Sequence, residues 1–339
     1  MPGIRTTTVG SWPIPFGKRP ALKRYYAGEL DDAAAGEVLQ AAARIVMDEQ
    51  IACGLAQIMG GEVFAPDFVH HVPPRLEGVR PLEVRDPSRG QEGVARYEPS
   101  GEISAPRGTG HALAFRRERA IEPALEKAAV PSPLTIAMSL GGGHSFDSQL
   151  ENLARIVERE VLDMVEAGAG EVQIDAPTEA ILAAESARSV EDIARWLRFP
   201  FRSVPEATTR TVHFCLGDIA RKPSTQIQNL RSLLPLLQAL DGIVDRVHLE
   251  CTHAGQWQDR AVLRDVPRSF EAIAGIADVK AKPESVEALG AKIDRLLEIL
   301  SPERLLVSSS CGCGRMPHDD AIRLMRNLVK AAHGESSRR

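Results

Sequence analysis

Residues 150–165 read Leu-Glu-Asn-Leu-Ala-Arg-Ile-Val-Glu-Arg-Glu-Val-Leu-Asp-Met-Val, and a few positions on comes the short run Glu171-Val172-Gln173-Ile174-Asp175. In the first stretch Leu150, Leu153, Ile156, Val157, Val161, Leu162 and Val165 recur at three- and four-residue steps, which puts them on one side of a helix. The second is a brief β-rich run, the length of a buried strand. The alternation repeats along the chain. Eight such runs occur, at 5–10, 55–59, 134–139, 171–174, 211–215, 246–249, 273–279 and 304–308, and helical spacing occupies 33–52, 147–167, 189–198, 225–240, 284–300 and 319–332. Strands alternating with helices imply parallel pairing through right-handed crossovers, and eight units predict an α/β fold closed as a (β/α)8 TIM barrel. A doubly wound open sheet competes, but Val9-Gly10-Ser11-Trp12-Pro13 is no glycine-rich dinucleotide turn.

The 339 residues would suit two average domains, yet a barrel with an insertion accommodates them as a single domain over 1–339. The interval from about 66 to 131, rich in Pro, Gly, Arg and Glu, reads as an insertion after strand two, with a hairpin expected within Leu82–Ile103. Acids outnumber bases 46 to 41 and no long basic run occurs, which argues against nucleic acid as a partner. The chain lacks a 20-residue apolar span or a signal-like N-terminus, so no membrane is expected and the cytoplasm is the expected compartment. Five cysteines, an odd number in a long chain, fit metal ligands, reactive thiols or buried small side chains better than a disulfide framework.

In a barrel, chemistry gathers at the carboxyl ends of strands. Here those ends carry Gly10-Ser11, Gly60-Gly61-Glu62, Asp175, His213-Phe214-Cys215, Glu250-Cys251, Asp278 with Lys280, and Cys311-Gly312-Cys313. His213 and Cys215 stand two apart and share a strand face. With Cys311 and either Glu250 or Cys251 they make a soft, tetrahedral donor set that suits zinc. Plainer readings stand beside these. Asp175 could cap the helix that begins at Pro177, Glu62 could be a solvated loop acid, and Lys280 could be a surface lysine paired with Glu284. Gly141-Gly142-Gly143-His144-Ser145 lacks the ending of a phosphate loop, and His70, His71 and His111 read as surface groups.

Several segments bear a resemblance. Thr6-Thr7-Thr8-Val9-Gly10-Ser11, Gly60-Gly61-Glu62, Val172 to Pro177, Val212-His213-Phe214-Cys215, His248 to Thr252, Ile276 to Lys280 and Pro302 to Leu306 followed by Ser310-Cys311-Gly312 resemble, in order and spacing, the catalytic C-terminal barrel of cobalamin-independent methionine synthase, as a short single-barrel member. The resemblance implies a zinc cofactor held by His213, Cys215, Glu250 and Cys311. It implies Glu62 and Asp175 on the amino group of homocysteine, and the Gly10-Ser11 turn on its carboxylate. The activity implied is methyl transfer to the homocysteine thiol, giving methionine. Where long members carry Asp-Ile-His, this chain has Asp278-Val279-Lys280, so these two residues are the candidates on the donor side and the donor need not be folate; Ala176 and Ser310 likewise replace acids. Three alternatives stand beside this. One is zinc-dependent alkyl transfer to another thiol, as in epoxide opening by coenzyme M; another is a barrel like uroporphyrinogen decarboxylase without zinc chemistry; the third is a non-catalytic role as a methyl-carrier partner or a zinc-bearing binding module. A homo-oligomer or a methyl-carrier protein partner fits any of the enzymatic readings. Retention of both Glu62 and Asp175 favours a thiol that carries an ammonium, since two carboxylates repel a sulfonate.

Overall fold

A computed structural model describes residues 3–26, 29–30, 32–65, 67–86, 94–141, 148–216, 229–252 and 254–334. Nine strands are assigned among them: β1 Arg5–Thr6, β2 Glu77–Asp86, β3 Val94–Ser104, β4 Lys127–Pro131, β5 Glu171–Asp175, β6 Thr209–Phe214, β7 Arg246–Glu250, β8 Glu271–Ala277 and β9 Leu305–Ser309. Seven form one sheet in the order β1-β9-β8-β7-β6-β5-β4, and every pairing in it is parallel. The helices between them, such as Leu150–Glu166, turn Leu150, Leu153, Val157, Val161 and Met164 into the core and their charged faces outward. This is the expected α/β barrel.

Three expectations differ in detail. The apolar run 134–139 is a helix, Pro133–Ser139, and the strand lies just before it in β4. Pro133 at the first turn and the Ser132 side chain, which accepts the Thr135 N–H at 3.0 Å, start a helix where periodicity alone suggested a strand. The segment 55–59 joins no ladder. It lies along β1, with the Gln57 N–H donating to the Thr6 carbonyl at 3.1 Å, but both backbone groups of Met59 bond to the Gln50 side chain, at 3.0 and 2.7 Å. A side chain from the helix Asp32–Cys53 therefore takes the place of a neighbouring strand. The excursion read as ending at Pro131 ends earlier, because β4 belongs to the main sheet; the expected hairpin is the antiparallel pair β2–β3. The phosphate-loop candidate, beyond Gly141, and the N-terminal part of the helix expected over 225–240 fall outside the described residues.

Charges ring the amino ends of the barrel strands. Arg5, Lys127, Glu171, Arg246 and Glu271 are the first residues of β1, β4, β5, β7 and β8. Arg246 bridges Glu171 and Glu271, each at 2.5 Å, Arg5 pairs with Glu271, and fully buried Lys127 lies 3.8 Å from Glu171. Gln57 and Thr211 complete the Glu171 carboxylate at 2.9 and 2.7 Å. Buried charges persist only when paired in this way, so the ring closes the barrel floor and leaves the opposite rim for chemistry.

Candidate active site

The residues at the carboxyl ends converge on that rim. His213 is the fifth residue of β6, Cys215 follows the strand, and Cys311 follows β9. One ligand atom from each of the three lies within 4.8 Å of the other two. Ligands around a tetrahedral zinc ion sit about 3.3–3.8 Å apart, so small side-chain movements close the set. Neither ring nitrogen of His213 has a hydrogen bond of proper geometry although both are buried. An unpartnered buried imidazole beside two thiols fits a soft divalent ion. His248 packs against it, ring centres 4.5 Å apart, held by the Ser309 carbonyl at 3.1 Å. The two thiols share a proton: a hydrogen bond from Cys215 holds Cys311 well below the usual thiol range, and the same bond, with burial, pushes Cys215 well up.

Glu250, at the end of β7, is not part of that group. Lys280 Nζ donates to its Oε1 at 2.7 Å and the Leu216 N–H to its Oε2 at 2.9 Å. Lys280 is therefore no surface lysine, and the Glu284 expected beside it pairs with Lys292 at 2.6 Å instead. Asp278 turns its carboxylate onto the Lys280 N–H at 2.8 Å. Neither Asp278 nor Lys280 lines the cleft that holds the thiols, so the donor-side role expected of them has no direct geometry here. Cys251 and Cys313 are core thiols, each pushed up to about 12 by burial.

The cleft, about 540 Å3, opens over His213, Cys215 and Cys311 and is lined on its other sides by Ser11, Glu62 and Asp175. Glu62 follows Gly61, and both have positive φ, 62° and 79°. A side chain at Gly10 would put its Cβ 2.6 Å from Glu62 Oε1, so glycine there is what lets the carboxylate reach the cleft. Asp175 ends β5 rather than capping the next helix, whose N-cap is Ala176; its Oδ1 accepts from Gln173 Nε2 at 2.6 Å. Burial raises both acids, Asp175 to about 6 and Glu62 well above its usual range, and Asp175 adds to the rise of Glu62. Ser11 Oγ accepts the Gly314 N–H at 3.2 Å, and the Ser11 carbonyl accepts the Cys313 N–H at 2.8 Å, which joins the loops after β1 and β9.

Two buried groups behind the cleft escaped sequence reasoning. Glu118 lies against Gly60 and is raised to about 8 by burial alone. His111, read as a surface group, is buried, bonded to Thr109 Oγ1 at 2.9 Å and to the Phe68 carbonyl at 3.1 Å. Helix spacing gives no sign that either faces inward.

A parallel barrel whose open rim carries an imidazole–dithiol cluster beside two carboxylates defines a barrel protein built for soft-metal thiol chemistry. Residues 4–334 match the family model described as the catalytic domain of cobalamin-independent synthase, and the chain belongs to that family. It is 25% identical over 98% of its length to a 5-methyltetrahydropteroyltriglutamate–homocysteine methyltransferase of Shewanella oneidensis, of which it spans 43%. It is 23% identical to a methionine synthase of Saccharolobus islandicus, covering 97% of this chain and 94% of the relative. Among solved structures, a B12-independent methionine synthase from Shewanella sp. W3-18-1 in complex with selenomethionine superposes with a TM-score of 0.81 over 98% of both chains, at 19% identity. No helix among the described residues is long and apolar enough to cross a membrane.

Proposed function

We propose that this chain is a zinc-dependent S-methyltransferase that methylates the thiol of homocysteine to give methionine, working as one catalytic domain over residues 1–339. The observation that carries the reading is the sharing of one cleft by His213, Cys215 and Cys311 with Glu62, Asp175 and Ser11. A zinc ion held by the imidazole and the two cysteines supplies the Lewis acidity that keeps an acceptor thiol ionised at neutral pH. The protein side chains select and orient the acceptor. Glu62 and Asp175 receive its ammonium, since two carboxylates held above their usual range gain most from a cation between them. Ser11, whose Oγ is already an acceptor for Gly314, offers its O–H to the acceptor's carboxylate. The names of the relatives, and the selenomethionine bound to the Shewanella enzyme, support an amino-acid thioether as product.

The test is turnover of the purified zinc-loaded chain, with homocysteine, its des-amino analogue and coenzyme M as acceptors. Methyltetrahydrofolate, methylcobalamin and a small methyl donor are supplied in turn. Methionine is expected from at least one donor, with the des-amino thiol poorer by tenfold or more, as befits loss of a charge-assisted contact worth about 1.5–3 kcal/mol. Transfer to coenzyme M in preference to homocysteine, or to neither, refutes the reading.

A further inference from the structure

The Lys280–Glu250 pair has a place in this site that the methyltransferase reading does not use. Both side chains are almost wholly buried, 2% and 0% exposed. The lysine is fixed by its own turn: its N–H is tied to Asp278 Oδ1, and the Asp278 and Val279 N–H groups are tied to Glu284 Oε2 and Ser310 Oγ. The glutamate is fixed from the other side by the Leu216 N–H, one residue beyond Cys215. A charge count then closes. Two thiolates and one carboxylate carry three negative charges, and a divalent ion with one ammonium carries three positive, so the buried assembly is neutral only with Lys280 in place.

Building on the zinc reading above, we propose that Lys280 is a positioning residue that holds Glu250 off the metal. A zinc ion here then has three protein ligands, His213, Cys215 and Cys311. Its fourth position is kept for the acceptor sulfur, and no protein ligand has to leave when that sulfur arrives. Three protein ligands with one open position is the usual arrangement of a catalytic zinc.

The experiment measures zinc affinity of the full chain by competition with a chromophoric chelator, and the d–d absorption of the cobalt-substituted protein. The variants are Glu250→Gln, Lys280→Met and the two combined. The double variant has the same net charge as the parent, and its zinc affinity is expected to stay within about threefold. Lys280→Met alone frees the carboxylate, so zinc affinity should rise about tenfold or more and the cobalt spectrum should change. Glu250→Gln alone should leave the cobalt spectrum as it is, an outcome that does not depend on the lysine variants folding. A ten- to hundredfold loss in the double variant, or a changed cobalt spectrum in Glu250→Gln, makes Glu250 a ligand and overturns the proposal while the zinc reading stands. Absence of zinc binding in the parent chain overturns both.

Discussion

Replacing Glu118 with glutamine takes the capacity to ionise away from a carboxyl group held where ionisation is strongly disfavoured. Glu118 lies on the helix His111–Ile121 and is 7% exposed, its carboxyl so close to Gly60 that a Cβ there would lie 1.9–2.3 Å from it. It borders a void of about 30 Å3 behind Glu62, room for about one water molecule. Burial raises its pKa from 4.5 to about 8. For an acid raised in the folded state, the native protein binds more protons than the unfolded chain between those two values, so stability falls as pH rises through the window. The slope is about 1.4 kcal/mol per pH unit, a total of up to about 5 kcal/mol across the window. The Glu118→Gln variant has no such dependence. The measurable quantity is the unfolding free energy of the variant minus that of the parent, from urea titrations of the metal-free chain between pH 5.5 and 7.5. The difference should grow by about 2.7 kcal/mol in favour of the variant over those two units. A difference that is flat with pH, or that shrinks as pH rises, refutes the claim that Glu118 is neutral in the native protein.

Arg246→Met should cost about 3–5 kcal/mol of unfolding free energy, because Glu171 and Glu271 lose the guanidinium they share; a loss below about 1 kcal/mol by chemical denaturation contradicts the buried ring. Cys311→Ser should remove bound zinc, while Cys251→Ser and Cys313→Ser should leave one zinc per chain, read by elemental analysis; loss of zinc in either of the last two would make a core thiol a ligand. Homocysteine affinity should fall as pH drops through about 6, where Asp175 takes up a proton, and Asp175→Asn should flatten that profile in calorimetric titrations. A pH profile unchanged by the substitution would remove Asp175 from the ammonium site.

How far the sequence could be read depended on whether local pattern and tertiary role agreed. His213, Cys215, Cys311, Glu62 and Asp175 were legible because they stand where strand periodicity stops, and a barrel brings those points together. β4 was missed since Lys127-Ala-Ala-Val-Pro131 is charged at one end and lacks a run of β-branched residues, while the more apolar 134–139 beside it is a helix. Lys280 was misplaced because Glu284 stands four residues on, whereas Glu284 is claimed by Lys292 and Lys280 by Glu250, 30 residues away in sequence. Arg5, Glu171, Arg246 and Glu271 look like ordinary surface charges in the sequence. Only strand register puts them in one ring.

The same register separates two electrostatic tasks. At the floor of the barrel each charge meets its opposite within the protein, so that end is complete without a ligand. At the rim the balance is left open for a ligand to close: burial raises Glu62 and Asp175, the Cys311 thiolate raises both further, and Asp175 raises Glu62 as well. A charge about 5 Å from a carboxylate at an effective dielectric constant of 20 contributes about 3 kcal/mol, favourable for an ammonium and unfavourable for a sulfonate. Exchanging one for the other therefore shifts binding by about 6 kcal/mol per ionised carboxylate before desolvation is counted, more than any apolar contact of the cleft supplies. Selection among thiols accordingly resides in these two acids, and it acts before the thiol reaches the metal.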